Sequence, residues 1–216
     1  MAIVLIGPPA AGKTTAAAAV ARALGRDVVH FDTARAQRYA RFGYTGARAD
    51  RLFEEGGARA LHRYEARFEA RALAQEAERR PEAVLDTGGG LLLQYADVDA
   101  RRVGDTLAAA DLTVLVLPHA GDRERSTRCL VARVRARGEG DASTAEWLDR
   151  GGERLLDALV GAGQAHVPLA DLVVDTAGPV PTAAPGGRPP GTRPPASLVR
   201  RVTSALADRP VRVVGR

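Results

Sequence analysis

One lysine stands among thirty arginines in this 216-residue chain, and it falls in the run Gly7-Pro8-Pro9-Ala10-Ala11-Gly12-Lys13-Thr14-Thr15. The pattern G-x-x-x-x-G-K-[ST] meets three chemical needs at once. Glycines let backbone N–H groups close around a phosphate chain, a slim ammonium reaches the β- and γ-phosphates, and the Thr14 hydroxyl can ligate Mg²⁺. A guanidinium is too wide and planar for the lysine slot, so an arginine-rich composition has reason to keep one lysine here. Gly7, Ala10, Ala11, Gly12, Lys13, Thr14 and Thr15 are therefore expected to hold a nucleoside triphosphate.

Two further segments could contribute chemistry at the same place. His30-Phe31-Asp32 and Asp86-Thr87-Gly88-Gly89-Gly90 each follow a short apolar run. In open parallel sheets, ligands bind at the carboxyl ends of the strands. Asp86 has the form of an acid that holds Mg²⁺ directly or through water, with turn capping as the alternative. Asp32 is a candidate general base or hydroxyl ligand for a phosphoryl acceptor, with helix capping as its alternative. The triple glycine offers bare backbone to a ligand.

The elements that must position these residues can be read from periodicity. Five apolar runs, at 2–6, 27–31, 82–87, 112–117 and 171–175, are expected to form parallel strands alternating with helices. The first leads into the loop containing Lys13, and an alanine-rich helix from Thr14 to Leu24 follows, ending at Gly25. Arg59 to Arg80 has helical period, with Leu61, Tyr64, Phe68 and Ala72 on one stripe and Arg/Glu pairs opposite; its aromatics read as core. Asp122 to Arg137 is a second, arginine-rich helix, and another helix begins near Glu153. The glycine-punctuated Gly138–Gly152 segment suits a mobile loop. The expected fold is an α/β three-layer sandwich of the P-loop NTPase type around a five-stranded parallel sheet, spanning residues 1–177. Residues 178–195 are rich in Pro and Gly and read as a disordered linker. Residues 196–216 hold a C-terminal helix and a basic tail.

Composition sets limits. Aromatics are 4% of the chain, so the core must be mostly Leu, Val, Ile and Ala. A single cysteine, Cys129, excludes an internal disulfide. No apolar run approaches the ~20 residues of a membrane span, and the N-terminus reads as a core strand rather than a signal sequence. A soluble cytoplasmic protein is expected. The net charge of +5 is concentrated in the tail: Arg188 to Arg216 has seven arginines against Asp208, whereas residues 1–187 are close to neutral. A solvated end is the simpler reading of that tail, and nucleic acid is not an expected partner. Asp86-Thr87-Gly88-Gly89 and Asp175-Thr176-Ala177-Gly178 imitate GTPase signatures. The chain contains no asparagine for a guanine-reading element, and its lysine is already used.

Taken together, Gly7 to Thr15, Leu52-Phe53-Glu54-Glu55-Gly56-Gly57, the helix carrying Glu65, Val84 to Gly90 and Val174-Asp175-Thr176 resemble the shikimate kinases in order and spacing. The resemblance covers about residues 2–176. It implies a nucleoside-monophosphate-kinase-like fold, ATP with Mg²⁺, and phosphoryl transfer to a small polyhydroxylated acid. By position, Asp32 resembles the acceptor-binding aspartate, Gly88, Gly89 and Gly90 the glycines beneath the acceptor, and Arg133 and Arg137 the nucleotide- and lid-type arginines.

The acceptor side departs from that family. Its Asp-x-Asp reads His30-Phe31-Asp32, and Asp86 occupies a usually neutral position where it can replace the lost metal ligand. The family's Phe-Arg-x-x-Glu reads Leu61-His62-Arg63-Tyr64-Glu65, so His62 stands at the carboxylate-gripping arginine. Arg63 is displaced by one residue, about 100° on a helix. The second such arginine is Ala162. The expectation is an ATP-dependent small-molecule kinase with catalytic Lys13, Asp32, Asp86, Arg133 and Arg137, and metal ligands Thr14 and Asp86. Its acceptor site would comprise Asp32, His62, Arg63 and Gly88 to Gly90, and its hydroxylated acceptor would not be shikimate. A nucleoside or nucleotide kinase, a gluconate- or antibiotic-type kinase, and a nucleotide-dependent binding or regulatory module with a basic tail are the rivals; monomer and dimer both stay open.

Overall fold

A computed structural model of the chain describes residues 1–177 and 196–207. Its five strands are β1 (Ile3–Ile6), β2 (Val28–His30), β3 (Val84–Asp86), β4 (Leu112–Leu117) and β5 (Leu172–Asp175). They form one parallel sheet in the order β2-β3-β1-β4-β5. Both faces are covered, which explains why the strands read as continuous apolar runs. Val4, Ile6, Leu85, Leu115 and Leu117 point into one core layer. Ile3, Leu5, Val84, Val114 and Val116 point into the other. This is the three-layer α/β sandwich expected from the sequence.

One layer contains α1 (Lys13–Leu24), α5 (Arg123–Arg137), α7 (Glu153–Ala165) and α8 (Ala196–Ala207). The small alanines of α1 allow it to lie close to the sheet, and Leu198 and Val202 of α8 are buried in the same cluster as Val20. The opposite layer contains α2 (Arg35–Ala40), α3 (Gly46–Arg79) and α4 (Asp97–Ala109). Its aromatics stack edge and face around Phe68, with Tyr64 at 5.0 Å, Tyr44 at 5.6 Å and Tyr39 at 6.2 Å between ring centroids. They form an apolar wall, as expected for Tyr64 and Phe68.

Three differences from the sequence reading bear on the site. The helix expected from Arg59 begins at Gly46 and is interrupted at Gly57, whose φ of 66° and ψ of −160° no other residue adopts cheaply. The expected loop Gly138–Gly152 is instead helical: α6 (Ala142–Trp147), capped by Asp141 accepting from the Ser143 N–H, runs through a π-type turn into α7. Helices α2 and α4 are additional to the sequence reading, because one is a six-residue polar segment and the other carries only Val103 and Leu107 as large buried anchors. The Pro/Gly-rich linker 178–195 and the basic tail 208–216 lie outside the described residues. Among the described residues no helix is long and apolar enough to cross a membrane.

Candidate active site

Strand register builds the site. Leu5 and His30 both pair with Asp86, and Leu117 pairs with Asp175, so the carboxyl ends of the strands share one rim. From β1 the chain enters the loop of residues 7–12. Gly7 sits at φ 145°, and a Cβ there would stand 2.2 Å from the Val116 carbonyl oxygen of β4. Ala10, with φ 61°, holds a left-handed conformation that a non-glycine residue rarely adopts. Lys13 is buried at the start of α1, and its Nζ donates to the Pro8 carbonyl at 3.0 Å.

The charges around Lys13 define the rest. Burial pushes its pKa down; Asp86, Asp32 and Glu69 oppose that shift, and Arg137 adds to it. Four residues from four elements therefore act electrostatically on one ammonium. His30 Nδ1 and Asp86 Oδ2 lie 2.7 Å apart, because β2 and β3 place them level. Asp86 is therefore partnered by the residue that stands where an acid was expected, and turn capping does not describe it. Asp32 is exposed at the rim and caps no helix: α2 begins at Arg35, and Ala34 precedes it without a side-chain capping bond.

Beneath the loop lies a cavity of about 470 Å³ lined by Pro9, Asp32, Arg35, Tyr39, His62, Glu65, Glu69, Gly88, Gly89, Gly90, Trp147 and apolar side chains of α3 and α7. The triple glycine is wedged against the protein itself. A Cβ at Gly88 would meet Glu69 Oε1 at 2.3 Å, one at Gly89 would meet Pro9 Cγ at 2.4 Å, and one at Gly90 would meet His62 Nε2 at 2.5 Å. His62 is fully engaged: Nε2 donates to the Gly90 carbonyl at 3.0 Å, and Nδ1 accepts from the Tyr95 hydroxyl at 2.9 Å. Burial lowers its pKa, so the ring is neutral. Arg63 does not line the cavity. It is exposed, with its guanidinium 4.9 Å from the centre of the Tyr95 ring, as the one-residue displacement on the helix implies.

The sequence reading does not single out Glu65 and Glu69 as a pair. They lie four residues apart on the face that also carries Leu61 and Phe68, and that spacing is the available signal. Glu65 accepts from Arg35 Nη1 and from the Tyr44 hydroxyl, each at 3.2 Å. Glu69 is buried, and its Oε1 has no hydrogen-bond partner. Burial, reinforced by Asp32, pushes its pKa up to about 8.

On the other side of the loop, α5 supplies arginines. Arg133 donates to the Ala10 carbonyl at 3.3 Å and to Thr176 Oγ1 at 3.2 Å, and also to the Thr176 carbonyl. Thr176 in turn donates to the Ala11 carbonyl at 2.8 Å, which ties the end of β5 to the loop. Arg137, its pKa lowered by burial and by Arg133, is the more exposed of the two. The segment after α5 closes over the cavity. Trp147 lines it, Arg150 donates to the Glu54 carbonyl, and the Arg150 carbonyl oxygen lies 2.2 Å from where a Gly57 Cβ would stand. This close approach explains the break in α3.

A family model described as "AAA domain" matches residues 3–155, the stretch that contains the loop, Asp32, Asp86 and the cavity walls of α3. The chain belongs to the AAA domain family. No curated protein matches it. Among solved structures, this AAA domain is similar to shikimate kinase from Bacteroides thetaiotaomicron, with 22% identity and a TM-score of 0.52, over 96% of this chain and 98% of that one. It is also similar to shikimate kinase from Aquifex aeolicus, with 20% identity and a TM-score of 0.53, over 96% of each chain. The AAA domain described here therefore has the shikimate-kinase-like P-loop fold.

Proposed function

We propose that this protein is an ATP-dependent kinase that transfers the γ-phosphoryl group to a hydroxyl of a small polar molecule, and that shikimate is not that molecule. One observation carries the reading: the buried Lys13 shares its field with Asp86, Asp32, Glu69 and Arg137, and the loop that holds it lines, through Pro9, a cavity that Asp32 and Glu69 also line. A phosphate-binding loop without an acceptor pocket would suit a binding module; here the pocket adjoins the loop.

The residues present fit Mg²⁺ with nucleotide. A Mg²⁺ that accompanies a nucleotide is held by one or two protein oxygens together with phosphates and water. Thr14 and Asp86 are those ligands, and His30 engages only Oδ2 of Asp86, leaving Oδ1. Bound there, Mg²⁺ neutralises charge on the phosphate oxygens. Lys13 and the loop amides hold the β- and γ-phosphates, and Arg137 offers a further cation from α5. Arg133 is spent on fixing the loop and thus acts as a positioning residue. Asp32 orients the acceptor hydroxyl. The new O–P bond forms as the bond from phosphorus to the β–γ bridging oxygen breaks, and the hydroxyl proton passes through Asp32 to solvent. Catalysis of this kind is positioning and charge neutralisation, so no covalent nucleophile is required.

The acceptor half supports the exclusion of shikimate. At the two positions where the resemblance implies carboxylate-gripping arginines stand His62, neutral with both nitrogens engaged, and Ala162. The loss of two charge-assisted hydrogen bonds costs roughly 10²–10⁴ in kcat/KM. Steady-state ATP turnover with an acceptor panel tests both halves. Lys13→Ala, checked for cooperative unfolding, is expected to lose transfer; wild-type turnover in that variant refutes the kinase. A kcat/KM for shikimate at or above about 10⁴ M⁻¹s⁻¹, in the ordinary enzyme range, refutes the acceptor assignment.

A further inference from the structure

Strands β2 and β3 bring one imidazole against one carboxylate. His30 Nδ1 lies 2.7 Å from Asp86 Oδ2, because the strand register pairs the two residues directly. The Asp86 side chain is 6% exposed, and that of His30 is 32% exposed. A carboxylate that serves a cation only accepts hydrogen bonds, so Nδ1 carries the proton of this bond whether the ring is neutral or charged. Among the described residues, His30 is the hydrogen-bond partner of the Asp86 side chain. Oδ1 of Asp86 has no such partner and, unlike Glu69 Oε1, is not sealed from solvent.

The imidazole is itself firmly mounted. β2 is an edge strand of three residues, with few ladder bonds of its own. Its end is held in two other ways. Phe31, whose side chain is fully buried, donates its N–H to the Asp86 carbonyl at 2.9 Å. Arg38 of α2 donates through Nη1 to three carbonyls of the same segment: Phe31 at 2.8 Å, Thr33 at 3.1 Å and His30 at 3.3 Å. Its guanidinium also lies 5.0 Å from the centre of the Phe31 ring, where a cation is attracted to the ring face. The backbone that carries His30 and Asp32 is thereby clamped, and the His30 ring meets Asp86 from a fixed origin.

Resting on the reading of Asp86 as a Mg²⁺ ligand, we infer that His30 is a positioning residue whose Nδ1–H holds Oδ2 of Asp86 so that Oδ1 is presented to the cation that accompanies the nucleotide. Hydrogen-bond partners of ligating carboxylates fix their orientation, and removing one typically costs roughly 10- to 100-fold in metal affinity. Without His30, the carboxylate has to be ordered when the cation binds, and that ordering opposes binding. Asp86 is held in place beforehand by a bond that leaves its other oxygen free. The position at which the resemblance implies a metal-side acid thus still serves the cation, one bond further out.

The test uses the full chain with a non-hydrolysable ATP analogue, and Mn²⁺ as a paramagnetic probe in place of Mg²⁺, since both suit carboxylate and water ligands. Electron paramagnetic resonance gives the affinity of Mn²⁺ for the protein–analogue complex, and calorimetry in EDTA gives the affinity of the metal-free analogue. His30→Ala should weaken Mn²⁺ binding by roughly 10- to 100-fold while leaving the metal-free affinity unchanged. His30→Asn, which keeps an N–H donor near the place of Nδ1, should recover most of that loss. Cooperative unfolding shows that each variant has folded; should the alanine variant fail to fold, His30→Leu fills the space without a donor and makes the same comparison with asparagine. Wild-type Mn²⁺ affinity in His30→Ala, with Asp86→Asn weakened, overturns the inference and leaves Asp86 a ligand. A His30→Asn as weak as the donor-less variant overturns it too, because a donor at that place then contributes nothing. Equal losses of Mn²⁺ and metal-free binding mean a general loosening of the site, and they also overturn it. Unchanged Mn²⁺ affinity in Asp86→Asn removes the metal reading itself, and the role of His30 with it.

Discussion

Replacing Glu69 by glutamine should change how stability depends on pH in the protein without nucleotide. In the folded chain this carboxyl is pushed up to about 8 from an ordinary value near 4.5, chiefly by burial and next by Asp32. The charged and titratable groups facing it are Lys13 from α1, Arg35 and Tyr39 from α2, Asp32 just beyond β2 and Glu65 one turn earlier on α3. A carboxyl whose folded pKa is raised favours the folded state fully below about pH 4.5. That advantage is lost as pH rises toward 8, because the unfolded chain releases its proton first. Each tenfold difference in proton affinity between the folded and unfolded chain is worth about 1.4 kcal/mol, so the full difference approaches about 5 kcal/mol. For a chain of this size 1 kcal/mol is about 2–4 °C in Tm, which gives roughly 10–20 °C. Glutamine keeps the shape and cannot ionise. Thermal unfolding followed by circular dichroism from pH 5 to 8.5 is the assay, with wild type and Glu69→Gln compared at each pH. Lys13 also feels Glu69 and its own pKa is pushed down by burial, but it is present in both proteins, so the comparison is of wild type with variant at each pH. The curves should nearly coincide at pH 5 and diverge steadily, with the variant the more stable at pH 8.5. A difference that is flat across that range refutes the buried, unpartnered carboxylate.

Two other substitutions probe the rest of the site. Asp86→Asn removes a metal ligand while keeping a partner for His30, so turnover should fall by about 10²-fold or more and the Mg²⁺ requirement should rise; an unchanged Mg²⁺ titration would leave Asp86 as a partner of His30 alone. Gly57→Ala places a Cβ 2.2 Å from the Arg150 carbonyl at a φ of 66°, which should cost about 1–3 kcal/mol. It should also loosen the segment over the cavity, seen as a lower Tm and faster proteolysis between Gly138 and Gly152; wild-type values for both would show that this contact does not hold the segment.

Local order is legible where one residue type does one job. The five apolar runs are the five strands, and Lys13 needs no partner elsewhere to be recognised, since a lysine between glycine and threonine carries its chemistry in the spacing. The arginines of α5 are legible as a group but not in their roles: Arg133 turns inward to the carbonyls of Ala10 and Thr176, whereas Arg137 stays toward solvent. Helix α6 reads as a loop in the sequence because glycines at 138, 140, 151 and 152 dominate local propensity. The packing of its continuation on α3 at Gly57 supplies the long-range contacts that override it.

By itself the sequence determined the phosphate loop and the parallel sheet that aims it. These follow from spacing and periodicity, which are properties of neighbours along the chain. Tertiary structure alone decided that His30 meets Asp86 and that both nitrogens of His62 are spent. It alone decided, too, that Glu69 is buried with an oxygen that has no hydrogen-bond partner. The physical reason is that parallel pairing joins residues 56 positions apart, as with His30 and Asp86. Burial, likewise, depends on which elements close over a side chain. A glutamate on a charged helix reads as solvated until the aromatic wall, the P-loop and the triple glycine enclose it.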